Sequence, residues 1–197
     1  MYKTLKTRLV SVAPFIMHNG QTADPLNKFA KAMKEISGKR KKTEADFIEL
    51  ARIEYFAGLY MGENGPIIPS VMLEAVITGG AKKAKNGKLA EAGVIVDRHV
   101  DLEYDGPRTP EELVANDRFR LTCPVRIGQQ KVIRTRPIFP QWAAEVEIKY
   151  LDDIINERDL LTALRAAGTY VGVGDWRPRN GRFALAVDMD VALKEAA

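Results

Sequence analysis

At 197 residues, 46% hydrophobic and 28% charged, the chain has the make-up of a folded globular protein and enough length to bury a core within one domain. Thirty Lys+Arg against 26 Asp+Glu leave a net charge of +4 and a pI near 9.1, a surplus that admits a nucleic-acid partner without demanding one. The lone Cys123 excludes an internal disulfide framework and a thiolate metal site. No run approaches a membrane span and the first residues lack the apolar core of a signal peptide, so a cytoplasmic protein with no membrane partner is expected.

Tyr2 to Met17 is rich in Leu, Val, Thr, Phe and Ile and reads as a first strand of about ten residues with an irregular exit at Pro14 and His18-Asn19-Gly20. Pro25 opens an expected helix carrying Phe29, Ala32, Met33 and Ile36, stopped by Gly38. After the basic run Lys39-Arg40-Lys41-Lys42, Thr43 caps a second helix whose face is Phe47, Leu50, Ile53, Phe56, Ala57 and Tyr60. Gly62 to Pro69 reads as a turn and short strand, and Ser70 as the cap of a short helix from Val71 to Ile77 ended by Gly79-Gly80.

Four lysines without an acid follow, Lys82, Lys83, Lys85 and Lys88. From Val94 to Tyr104 the even positions are apolar except Arg98, the pattern of a half-buried strand. A polar loop with a helical turn after Pro110 leads to a hairpin. Its first strand, Arg118 to Arg126, turns Phe119, Leu121, Cys123 and Val125 inward, and Lys131 to Arg136 returns beside it after Gly128-Gln129. Trp142 to Tyr150 alternates as a further strand, with Trp142 in the core. Asn156 and Asp159 cap a helix holding Leu160, Leu161, Leu164 and Ala167, closed by Gly168, and Arg182 to Asp188 is a last strand burying Phe183, Leu185 and Val187. There is no repeat, coiled coil or low-complexity segment. These elements make an α+β protein with an antiparallel or mixed sheet and helices on one face.

The richest segment is Ala167 to Phe183. It gathers Gly168, Gly172, Gly174 and Gly181 with Trp176, Arg177, Arg179 and Arg182. Two uses fit it: a nest of backbone N–H groups for phosphate, or a tight connection whose glycines let helix and sheet approach closely. Its place after a helix and before a strand is the reverse of the dinucleotide fingerprint, and the Gly-Lys-Ser/Thr ending of a P-loop is absent.

The opening strand, the Gly-Pro-Ile-Ile-Pro-Ser segment leading into a helix, and the C-terminal Gly-Val-Gly-x-x-Arg-Pro-x-x-Gly-Arg-Phe together resemble the RAMP superfamily, the RRM-like, ferredoxin-fold proteins of CRISPR effector complexes and above all their backbone-forming subunits. Ile68, Pro69 and Ser70 match the helix-starting segment, with Val71 where a small residue is usual. Gly172, Gly174, Gly181, Arg182 and Phe183 match the glycine-rich loop. The loop is also similar to that of proteins of phage and mobile elements. The resemblance implies one RRM-like, ferredoxin-like domain over 1–197, with antiparallel sheet, helices on one face and a helical insertion at about 25–92. It implies a protein that binds single-stranded RNA, or DNA, and assembles as a homo-oligomer or within a multi-subunit complex.

On that reading Lys39, Arg40, Lys41, Lys42, Lys82, Lys83, Lys85 and Lys88 hold phosphates together with Arg177, Arg179 and Arg182. The hairpin arginines Arg118, Arg120, Arg126, Arg134 and Arg136 form a track on one sheet face, and Trp176 stacks on a base or a neighbouring subunit. Such contacts position a strand without reading it. The plainer reading of the same residues is solvated loops and a protected sheet edge. Two other functions stay open: a metal-independent endoribonuclease using His18, and a phage structural or oligomerising protein that binds no nucleic acid. No cofactor and no metal site is expected.

Overall fold

A computed structural model describes residues 1–188, without the side chain of Ile127. In chain order the first elements are β1 (Tyr2–Ser11), β2 (Phe15–Ile16), α1 (Lys28–Ser37), α2 (Glu44–Gly58), β3 (Met61–Gly62), β4 (Gly65–Ile68), α3 (Ser70–Ala81) and α4 (Gly87–Gly93). There follow β5 (Val94–Ile95), β6 (Val100–Asp101), α5 (Pro110–Ala115), β7 (Arg120–Ile127), β8 (Gln130–Phe139), β9 (Ala143–Leu151), α6 (Glu157–Ala166) and β10 (Phe183–Leu185). The class is α+β and the long strand pairs are antiparallel. Among the described residues no helix is long and apolar enough to cross a membrane.

The chain divides into two compact units. The first holds Met1–Phe15, Met61–Asp105 and the chain from Pro140 onward; the second holds Ile16–Tyr60 and Gly106–Phe139. The segment 25–92, expected as one insertion, is therefore shared: α1 and α2 belong to the second unit, α3 and α4 to the first.

The first unit is built on a four-stranded sheet of order β10–β1–β9–β5. Leu5, Thr7 and Leu9 of β1 lie opposite Ile148, Val146 and Ala144 of β9. Residues facing each other across a pair share one face, and this is the buried one: Leu9, Ala144, Val146, Ile148 and Tyr150 are nearly inaccessible. Trp142, just before β9, is in the core as its alternation required, 3% exposed with Nε1 donating to Ala13 O at 3.1 Å.

Helix α3 does not stop at Gly79-Gly80 but runs on to Ala81. A Cβ on Gly80 would meet Ala163 O at 2.1 Å and Ala167 N at 2.6 Å. The glycine is there so that α3 can press against the backbone of α6, and the helix tolerates it for that contact.

The even-position pattern of 94–104 holds in burial, with Val94, Val96, Val100 and Leu102 inside, but it is not one strand. The backbone leaves β9 after Ile95 and pairs with β4 from Val100, and between them Val96 N–H is taken by Glu74 Oε1 at 2.8 Å. Likewise the last strand ends at Leu185, and Val187 is exposed, not buried.

In the second unit α1 opens at Lys28 and not at Pro25, with Asn27 capping it by accepting from Phe29 N–H. Thr43 and Asp46 form a capping box on α2. The expected face of α2 holds at Ile53 and Ala57, which are buried, but Phe47 is exposed and Phe56 half-buried, and Tyr55, outside that face, is buried. Tyr55 goes inside because its hydroxyl finds Phe119 O at 3.0 Å. The sheet here has the order β2–β8–β7, so β7 is an edge strand, where the missing N–H of Pro124 is tolerated.

Candidate nucleic-acid interface

In the first unit, two basic segments far apart in sequence line one cleft of about 700 Å³. Lys82 and Lys83 come from the 3₁₀ turn Lys82–Ala84 after α3; Gly174, Trp176 and Arg177 come from the glycine-rich loop, with Tyr170 from the wide helical turn Ala167–Val171. Three cations face a single lining carboxylate, Asp175. Tyr170 and Trp176 offer aromatic surface to solvent, 61% and 37% exposed.

The loop's glycines divide by role. Added Cβ atoms on Gly168, Gly172 and Gly181 would fall 2.1 Å from Phe183 O, 2.6 Å from Asn180 O and 1.7 Å from Val173 O. These three serve close packing of the loop on itself and on β10. Gly174, at φ 81°, lines the cleft.

Trp176 itself sits at φ 52°, a conformation that a bulky residue adopts only when its surroundings impose it. They do. Its N–H donates to Asp175 Oδ1 at 3.0 Å, its carbonyl accepts from Asn180 N–H at 3.2 Å, and Arg182 Nε donates to Pro178 O at 2.7 Å. Arg182 thus positions the loop; Arg177 lines the cleft, and Arg179 is exposed beside it in sequence. The stem of Lys82 lies over Gly87, where a Cβ would meet its Cγ at 2.4 Å. Lys85 and Lys88 are exposed but do not line this cleft.

The open face of the four-stranded sheet is a different surface. Arg8 bridges Glu103 at 2.7 Å and Glu145 at 2.9 Å, Lys6 reaches Glu147 at 3.2 Å, and Lys149 holds Asp97. A depression of about 610 Å³ beside them is lined by Asp97, Asp101, Glu103, Glu145 and Glu147 together with Arg98, His99 and Lys149. Its carboxylates outnumber its cations, so this face disfavours phosphate.

The other predicted residues belong to the second unit. The hairpin arginines do not share one face. Arg120 lies opposite Pro137 and Arg126 opposite Lys131, whereas Arg134 faces Cys123 and Arg136 faces Leu121, on the other side of the sheet. Arg136 is 8% exposed and, like Arg134, bonds Glu54 Oε1 at 3.3 Å. Arg120 donates to Val114 O and pairs with Asp117. Arg126 donates to Gly128 O at 3.1 Å, and Arg118 lies over the Phe119 ring. Period-2 spacing placed these arginines on strands, but it did not register that a half-buried face takes its charges with a partner carboxylate. Glu54, which sequence reading passed over, is that partner. Burial pushes the Cys123 thiol upward, as expected of a structural cysteine.

Lys39 to Lys42 joins α1 to α2. Lys39 Nζ bonds Asp46 Oδ1 at 2.5 Å, and Lys42 Nζ donates to Lys39 O, so part of this run secures a helix start. The Lys39 contact first, then Thr43 N–H, lowers the Asp46 carboxyl from 3.8 to about 2. A depressed carboxyl adds stability that is complete above its unfolded value and lost as pH falls through the folded one. Thermal unfolding followed from about pH 4 to about pH 2 is expected to show this loss, and Asp46→Asn to remove it; an unaltered profile in the variant refutes the assignment.

His18 is exposed in the same unit, its carbonyl accepting from Tyr60 Oη at 3.0 Å. Among the described residues no group of three or more His, Cys, Asp or Glu stands ready to hold a metal ion. No protein-family model matches the chain, and no curated protein matches it.

Proposed function

We propose that this protein binds single-stranded nucleic acid, RNA by preference, without acting on it, and that the cleft lined by Lys82, Lys83 and Arg177 is where the strand lies. The observation that carries the reading is the meeting of two basic segments, from after α3 and from the glycine-rich loop, around exposed aromatic surface. Cations and rings at one cleft are what a charged backbone with unpaired bases needs.

The strand order β10–β1–β9–β5 supports the RAMP reading as well. Strands β1 and β5 both run antiparallel to the β9 that separates them, and β9 and β10 flank β1 in the same way, with α6 on the β9-to-β10 connection. We read this as the split βαβ plan of a ferredoxin-like, RRM-like core. In that plan the glycine-rich loop stands between last helix and last strand. The resemblance then favours assembly of several copies along one strand, in a CRISPR-like or phage setting.

The test is retention of single-stranded RNA and DNA across a salt series. The combined variant Lys82→Ala, Lys83→Ala, Arg177→Ala is expected to weaken binding at low salt and to flatten the slope of log K against log salt by about 2. Failure of the unaltered protein to retain either strand at low salt overturns the reading.

A further inference from the structure

Resting on that reading, we infer that the cleft is a clamp for one nucleotide step, holding a phosphate at Lys82, Lys83 and Arg177 and stacking an unpaired base on Trp176. The ligand class is therefore a strand with exposed bases, not a polyanion in general. Three observations carry this.

The cleft's volume of about 700 Å³ lies in the range of small-ligand sites and gives room for a nucleotide. Two of its cations, Lys82 and Lys83, come from the segment after α3, and its indole comes from the glycine-rich loop together with Arg177, so phosphate and base contacts of one nucleotide are both provided for. Most telling is the backbone of Trp176. A bulky residue at φ 52° is an energetic liability, and Asp175 and Asn180 bond its backbone there while Arg182 bonds Pro178 in the same loop. The indole keeps 37% of its surface accessible at the cleft on a loop already hydrogen-bonded in place, so a base that stacks on it loses little to loop ordering.

The chain has two tryptophans, and Trp142 is buried and hydrogen-bonded, so it supplies a fixed background. Tryptophan fluorescence of the unaltered protein is titrated with three probes: a short oligouridylate, a strand of equal length with abasic riboses throughout, and a blunt-ended duplex of the same length. The oligouridylate is expected to quench Trp176. The abasic strand and the duplex are expected to bind about tenfold more weakly with no quenching. Trp176→Ala should bring the oligouridylate down to the abasic level, and Trp176→Phe should keep most of the difference. Equal affinity and equal quenching for base-bearing and abasic strands overturn the clamp while leaving strand binding in place. Retention of no probe at low salt overturns both.

Discussion

Gly181→Ala is expected to destabilise the first unit by roughly 2–5 kcal/mol. The residue stands at φ 72°, and a Cβ there would lie 1.7 Å from Val173 O, whose own residue takes the Gly181 carbonyl at 2.9 Å. Backbone meets backbone at this point, so no rotamer change relieves the overlap. Two other glycines separate the causes. Gly128 has φ 59° with nothing within 4 Å of an added Cβ, so its alanine variant bears only the left-handed backbone cost of about 1–2 kcal/mol. Gly20 has neither constraint and its variant should be near neutral, within about 0.5 kcal/mol. Urea unfolding of the three variants is expected to rank them Gly20, Gly128, Gly181 in increasing damage. A Gly181→Ala protein as stable as the Gly128 variant would show that the loop does not close on itself as described.

The same loop shows what a sequence can and cannot disclose. Its glycines and its position before the last strand were legible, because a helix-to-strand connection needs them whatever they touch. Their division into three packing glycines and one at the cleft was not, since it depends on where Phe183, Asn180 and Val173 put their carbonyls. The junction of Lys82 and Lys83 with Trp176 and Arg177 was equally hidden: the two segments are distant in sequence and meet through the packing of α3 on α6, which turns on Gly80. Alternation along β9 was fully informative because one of its faces is covered and the other ion-paired. Along 94–104 it recorded burial correctly and missed the change of sheet, because the period of a half-buried segment is the same whichever strand it pairs with. In α2 the helical spacing named Phe47 where the chain buries Tyr55, a choice set by the hydrogen bond waiting at Phe119 O.

The second large effect is expected at Glu54, and it decides what the hairpin arginines are for. Its carboxylate accepts Thr135 N–H at 2.8 Å and the Arg136 and Arg134 guanidinium groups at 3.3 Å each, with little of the Glu54 or Arg136 side chain accessible to water. A buried guanidinium group and a backbone N–H that lose this acceptor are costly, because a charge removed from water is tolerated only beside its counter-charge. Glu54→Ala is therefore expected to destabilise the second unit by about 3–5 kcal/mol in urea or thermal unfolding. Glu54→Gln keeps an acceptor and should be milder. Arg134→Ala, at a side chain that is a third exposed, should cost under about 1 kcal/mol and leave affinity for a single strand unchanged. The contrast is the point: if Glu54→Ala proves no worse than Arg134→Ala, or if Arg134→Ala weakens strand binding, then these arginines serve a ligand and not the fold. The cleft at Lys82, Lys83 and Arg177 would then be only part of the interface.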